Sequence, residues 1–259
     1  MHIDDAATKD VSPGELGGAP DTQVDTPLAD AATVELVVDI ALRDFAQEGF
    51  QETKLDAIAK KSGMSKRMIH YHFGDKKGLY RRCLIEAFDR IHPTPDDIDV
   101  DSSVPVEGVT KLVDAVYLKM RTNPESVRVL SMECLHDVLN VTELSTMAKH
   151  SEVLLHLDKL LMIGQDSGAF RPGISAEDIF YMLWSLTFFR VSHRDFMVSI
   201  FDVDTTSEEN TAGIHRLTVD AILAFLTSNL SNRGYDSYLI SDRVSDEEQS
   251  SGLGVYDSE

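Results

Sequence analysis

Residues 53–79 read TKLDAIAKKSGMSKRMIHYHFGDKKGL, and the punctuation of this stretch decides the fold. Thr53 followed by Asp56 predicts a helix start near Lys54, because the hydroxyl can accept from an early backbone N–H and the carboxylate sits at the positive end of the helix dipole. Leu55, Ile58 and Ala59 recur at the helical period, and Lys60 and Lys61 fall in the last turn, where cations complement free carbonyls. Gly63 ends that helix and Ser65 caps the next. Met64, Ile69 and Phe73 then face inward, leaving Lys66, Arg67, Met68, His70 and Tyr71 to face outward. Two short helices joined by a tight turn form a helix-turn-helix. The outward set suits a DNA major groove: Lys and Arg donate to guanine, while Tyr and His reach phosphate oxygens.

Working outward, the charge distribution supports the same reading. The 259-residue chain carries a net charge of −20, which excludes a general polyanion binder unless its cations are gathered in one place. They are gathered: residues 51–90 hold ten Lys and Arg against five Asp and Glu. The remainder is strongly acidic and repels DNA, favouring a single docking orientation. Two cysteines, Cys83 and Cys134, without C-x-x-C spacing exclude a disulfide framework. No apolar run is long enough to span a membrane and no secretory h-region is present, so a cytoplasmic protein is expected.

Upstream, residues 1–30 mix Pro, Gly and acids and read as a disordered acidic arm. A first helix follows from about Thr33 to Glu48, with Val34, Val37, Val38, Ala41, Leu42 and Phe45 as its inward stripe and Gly49 as its stop. Downstream, a fourth helix starts near Lys76, buries Tyr80, Leu84, Ala87, Phe88 and Ile91, and ends at His92-Pro93. Thr94 to Pro105 is an acidic loop marking a domain boundary. A fifth helix covers Val106 to Arg121, Asn123-Pro124-Glu125 predicts an N-cap and first turn for a sixth reaching about Asn140, and a seventh covers about Leu144 to Gly168. Ser175 and Asp178 predict a capping box opening a helix that is apolar almost all round from Ile179 to Trp184. V-S-H-R-D-F-M-V-S-I-F, from Val191, extends it. A polar loop from Asp202 to Asn210 precedes a last broad apolar helix, and 231–259 reads as a disordered acidic tail. The fold class is therefore all-α, an N-terminal helix-turn-helix domain (31–92) followed by a larger helical domain (93–230).

The residues F-A-Q-E-G-F (Phe45–Phe50), Thr53, I-A-K-K-S-G-M-S (Ile58–Ser65) and I-H-Y-H-F-G-D-K (Ile69–Lys76) resemble, in order and spacing, the DNA-binding domain of the TetR family of bacterial transcription regulators. Met64 stands where Val is commoner, His70 where Tyr is usual, and Arg67-Met68 where Gly-Thr or Ala-Ala is often found. The resemblance implies a homodimer on a palindromic double-stranded DNA operator, most simply a repressor. It also implies dimerisation through the last two long helices and release by a small-molecule effector inside the C-terminal domain, with the fourth helix as the route between them.

On that basis Lys66, Arg67, Met68 and His70 are assigned to base edges or adjacent backbone, and Tyr71, Lys76, Lys54 and Lys77 to phosphates. Tyr117, Met120, Met132, His136, Trp184 and Phe188 form the candidate effector lining, a flexible and aromatic set suited to an apolar or planar molecule. Tyr181, Leu183, Leu217, Ala221, Ile222 and Phe225 are assigned to the dimer interface. The bland alternative for each Met or aromatic is ordinary core packing. The scattered histidines lack metal-ligand spacing, and no cofactor motif or catalytic frame is present, so no metal, cofactor or enzymatic activity is expected. Rival readings are an activator or corepressor-dependent regulator, and a ligand-binding or Cys134 redox-sensing dimer with little or no DNA binding.

Overall fold

Apolar periodicity and paired cap residues build a wholly helical chain, with no strand among the described residues. The computed structural model describes residues 27–94, 97–98, 104–139, 151–230 and 237–239. The helices are α1 (Pro27–Glu52), α2 (Leu55–Ser62), α3 (Lys66–Phe73), α4 (Lys76–Ile91), α5 (Pro105–Thr122) and α6 (Pro124–His136), then α7 (Ser151–Asp166), α8 (Ala176–Ser192), α9 (Arg194–Phe201) and α10 (Glu208–Thr227). The arm expected over 1–30 lies outside the described residues as far as 26, and α1 starts at Pro27 within its end. Gly49, at φ 78° and ψ 170°, interrupts α1 where the sequence places its stop.

Two hydrophobic cores organise these helices. The first gathers Val37, Val38, Leu42 and Phe45 of α1, Ile58 of α2, Ile69 of α3, and Leu79, Tyr80, Cys83 and Leu84 of α4. Each fully buried aliphatic or aromatic side chain here contributes about 1.5–3 kcal/mol. The second core gathers Leu112, Val116 and Met120 of α5, Leu157 and Leu160 of α7, Leu183 of α8 and Ile222 of α10. The division is not the clean one implied by a boundary at residue 93. Helix α6 places Val129, followed by Leu139 just beyond its end, in the first core, and Val127 in the second. Glu133 of α6 is buried as well and accepts from the Leu139 backbone N–H at 2.7 Å.

Several caps depart from their sequence reading. Thr53 makes no capping box: its hydroxyl donates to the Gly49 carbonyl at 2.8 Å, and the N-cap of α2 is Lys54, without a side-chain hydrogen bond. The hydroxyl satisfies the end of α1 instead, because the chain turns sharply after Gly49. Asn123 stands at the N-cap of α6 with Pro124 opening the helix, where the sequence places them, but its side chain makes no cap hydrogen bond. Its amide donates to the carbonyls of Lys119 (2.9 Å) and Arg90 (3.2 Å), tying the ends of α5 and α4 together. The Ser175–Asp178 capping box is present in both directions, and Asp178 additionally accepts from the backbone N–H groups of Tyr238 and Leu239. Residues 237–239, inside the tail read as disordered, therefore pack on the start of α8, while 231–236 and 240–259 lie outside the described residues. The segment from Val191 continues α8 only through Ser192. The chain breaks at His193 and reforms as α9, and Arg194 pairs with Asp204 at 2.7 Å across the following loop. The start expected for the seventh helix at Leu144 lies outside the described residues, and α7 begins at Ser151.

Candidate nucleic-acid interface

The turn between α2 and α3 is set by Gly63, whose φ of 75° is open to glycine at little cost and whose N–H closes on the Ala59 carbonyl at 3.0 Å. Ser65 then caps α3, its hydroxyl accepting from the Met68 N–H at 3.2 Å. Met64 and Ile69 are buried, and Phe73 packs against the same core. With one face locked down, Lys66, Arg67, Met68, His70 and Tyr71 all stand exposed on the other, as the sequence predicts. Tyr71 is 78% exposed and meets only the edge of the His72 ring among the described aromatic contacts, with centroids 5.1 Å apart.

The polar members of this face differ in readiness. Arg67 makes no ion pair among the described residues. Lys66 is joined to Asp56 of α2 at 2.9 Å, an exposed pair that pins the two helices loosely. The His70 Nδ1 lies 2.7 Å from the Gly74 carbonyl. A carbonyl only accepts, so Nδ1 carries a proton in this contact. Lys76 donates from Nζ to the Gln51 carbonyl at 3.0 Å and lies 4.7 Å above the Phe50 ring. Desolvation lowers its pKa, partly offset by Glu52. Lys76 thus holds the end of α1 against α4, which the spacing of its motif did not reveal. Lys54 and Lys77 are exposed.

Of the six residues assigned to the effector lining, Met120, Trp184 and Phe188 pack in or against the second core. Tyr117 and Met120 are buried, and the Tyr117 hydroxyl donates to the Thr211 carbonyl at 2.6 Å. Trp184 and Phe188 stack with ring centroids 5.5 Å apart, continuing through His92 (5.5 Å from Trp184) to Phe88. Met132 and His136 line a separate recess of about 330 Å³ with Phe50, Gln51 and Tyr80, between α1, α4 and α6. Helical spacing cannot show which neighbour each face receives, and α6 turns these two residues toward the first core.

Of the interface set, Tyr181 and Leu217 are well exposed, Ala221 and Phe225 are half-buried, and Leu183 and Ile222 belong to the protomer's own core. An Arg171 guanidinium lies 4.3 Å from the Phe225 ring and Tyr238 packs at 5.6 Å, so part of that ring is covered from within the chain. Phe189, not selected from sequence, is also exposed on α8 and stacks on His193 with ring centroids 4.3 Å apart.

A second cleft, of about 470 Å³, was not anticipated. It is lined by Arg121, Pro124, Arg190, Val191, Thr206, Glu208 and Thr211. The available signal was Arg190 itself, a single cation in an otherwise apolar helix, which must either reach water or find a buried partner. The cysteines are unactivated: burial raises the Cys83 thiol, which donates toward the Val38 carbonyl, and burial with the adjacent Glu133 raises Cys134. Among the described residues no group of three or more His, Cys, Asp or Glu could hold a metal, and no helix is long and apolar enough to cross a membrane.

Residues 37–83 match the model "Bacterial regulatory proteins, tetR family", and residues 105–222 match "Tetracyclin repressor-like, C-terminal domain". The HTH-type transcriptional repressor NicS of Pseudomonas putida is 26% identical over 178 residues, 68% of this chain and 84% of the relative. The HTH-type transcriptional regulator RutR of Escherichia coli is 28% identical over 159 residues, 61% of this chain and 73% of the relative. Among solved structures, HlyIIR, a hemolysin II transcriptional regulator, superposes with a TM-score of 0.54 at 17% identity, over 77% of this chain and 99% of that one, a likeness of fold.

Proposed function

We propose, for a chain that belongs to the tetR family of bacterial regulatory proteins, that it binds a palindromic operator as a homodimer and represses transcription until a small molecule in its C-terminal domain releases it. It is a DNA-binding transcription regulator rather than an enzyme. The observation that carries the proposal is the outward face of α3, where Arg67, Met68, His70 and Tyr71 are exposed on a helix immobilised from behind by Met64 and Ile69. Self-association is supported by Tyr181 and Phe189 on α8 and Leu217 on α10, large apolar groups that a monomer leaves in water. A two-fold dimer sets its two recognition helices about 34–36 Å apart to enter successive major grooves. An effector that prefers a dimer of different spacing weakens DNA binding by the ratio of its affinities for the two states. The name of NicS as a repressor favours repression over activation.

The test begins with selection of DNA from a random pool, followed by titration of the selected site. Arg67→Ala is expected to cost about 1–3 kcal/mol on the selected site and far less on random DNA. Lys77→Ala is expected to weaken both equally and to flatten the salt dependence by about one counterion. Equal losses on both DNAs for Arg67→Ala would remove its base-reading role, and failure to select any site would remove the operator reading.

A further inference from the structure

We propose that the cleft between the ends of α5 and α8 and the start of α10 binds a small monoanionic carboxylate, gripped by Arg190 and Arg121. The inference deepens the reading above, since it rests on the C-terminal domain taking an effector and assigns that effector a chemical class.

Arg190 is 4% exposed, yet its Nε has no hydrogen-bond partner among the described residues. Its nearest side-chain acceptor is the Thr211 hydroxyl, at a long 3.5 Å from an η nitrogen, and its guanidinium stands 5.4 Å from the Tyr117 ring. An aromatic face attracts a cation but accepts no pair of N–H groups. Folded chains rarely bury a guanidinium without a carboxylate or phosphate, because the desolvation of the charge is left uncompensated. Here the second cation in the cleft, Arg121, makes matters worse for an empty site. Burial lowers the Arg190 pKa, Tyr117 opposes that, and Arg121 reinforces it. An anion placed between the two guanidiniums removes both penalties and fills the Nε–H that the protein leaves open.

Direction, charge and size narrow the occupant. Arg190 shares its buried side of α8 with Leu183 and Thr187, away from exposed Tyr181 and Phe189, so it lies on the inner side of the helix rather than on the surface offered to a second copy. Glu208 also lines the cleft, at the first turn of α10. Two guanidiniums against one carboxylate leave an excess of one positive charge, which a monoanion neutralises and a dianion overshoots beside Glu208. The N-terminal end of the 20-residue α10 adds its positive dipole end to the same space. The volume of about 470 Å³ falls among those of small-molecule sites, about 300–1,000 Å³. The remaining lining, Pro124, Val191 and the Thr206 and Thr211 side chains, offers apolar and hydroxyl surface to the body of such a molecule.

The site also has the means to signal. Its walls are α5, α8 and α10, and Pro124 opens α6, whose Val129 sits in the core behind the recognition helix.

The experiment uses the purified full-length chain and thermal unfolding at fixed ionic strength. Sodium acetate, benzoate and phosphate are compared with sodium chloride, and benzamide serves as the uncharged match to benzoate. A carboxylate bound with a Kd of about 1 mM is expected to raise Tm by about 3–5 °C at 10 mM, and benzamide is expected to leave it unchanged. Arg190→Gln and Arg121→Gln should each abolish the shift, and because Arg121 is exposed its variant keeps the question open to test even if the buried substitution unfolds the chain. The proposal is overturned if neither carboxylate exceeds chloride, if benzamide matches benzoate, if phosphate exceeds both carboxylates, or if the shift survives Arg121→Gln. Operator titration in the same salts separates the two readings. A carboxylate shift lost in Arg121→Gln with operator affinity unchanged upholds the anion site and overturns release through it. A selected operator that benzoate releases from the natural protein but not from Arg121→Gln supports both.

Discussion

Phe45→Ala is expected to destabilise the protein by about 3–5 kcal/mol, the cost of emptying a core aromatic site. Phe45 is fully buried, meets Tyr80 edge-on with centroids 4.9 Å apart, and stacks with Phe50 at 6.1 Å. Phe50 in turn supports Lys76, so the cavity undermines the clamp between α1 and α4. Urea unfolding measures this as a lower midpoint with an unchanged slope. Operator affinity per folded molecule should fall as well, since the same cluster backs α3. A loss under about 1 kcal/mol would show that the first core collapses onto the vacancy and is less tightly specified than its burial indicates.

Gly78→Ala is expected to have the other large effect, for the opposite reason. A Cβ at this position overlaps the Phe73 carbonyl oxygen and lies 3.1 Å from its carbon. The obstacle is backbone, so no rotamer change relieves it and the corner between α3 and α4 must open. Overpacking of this kind costs about 1–3 kcal/mol, and the displacement falls on the recognition helix. Operator affinity is therefore expected to drop more than tenfold even in the fraction that remains folded. Gly213→Ala provides the control: its Cβ meets nothing within 4 Å, and as a helical glycine in α10 it should be neutral or slightly stabilising. Gel-shift titrations beside circular dichroism distinguish the two, and wild-type affinity for Gly78→Ala would mean that the corner is plastic.

How far this molecule is legible in its residues depends on the range of the physics involved. Gly63, Ser65 and the Ser175–Asp178 pair act within one turn of helix, and each lies where its local chemistry places it. The outward face of α3 was legible because one apolar stripe fixes the opposite side. The partners of the Thr53 hydroxyl and the Asn123 amide are not legible in the same way, because both are set by the path of the chain, at the ends of α1, α4 and α5, rather than by their own helix. Lys76 looks in sequence like a surface cation, and only the packing of Phe50 reveals its structural bond. An effector lining is hard to read from sequence for a related reason: a methionine, a tryptophan and a tyrosine on different helices share a cavity only if those helices turn the same faces together. Arg190 shows the opposite case, in which one charged residue inside an apolar run carries a signal that composition averages away.

Helix α6 alters what counts as a part of this protein. By sequence it belongs to the C-terminal domain, but Val129 and Leu139 complete the hydrophobic interior of the N-terminal one. A fragment ending at the apparent boundary near residue 93 would carry the whole recognition motif and still present an apolar slot where α6 should lie. The interior of the helix-turn-helix unit is thus closed by residues translated after the linker.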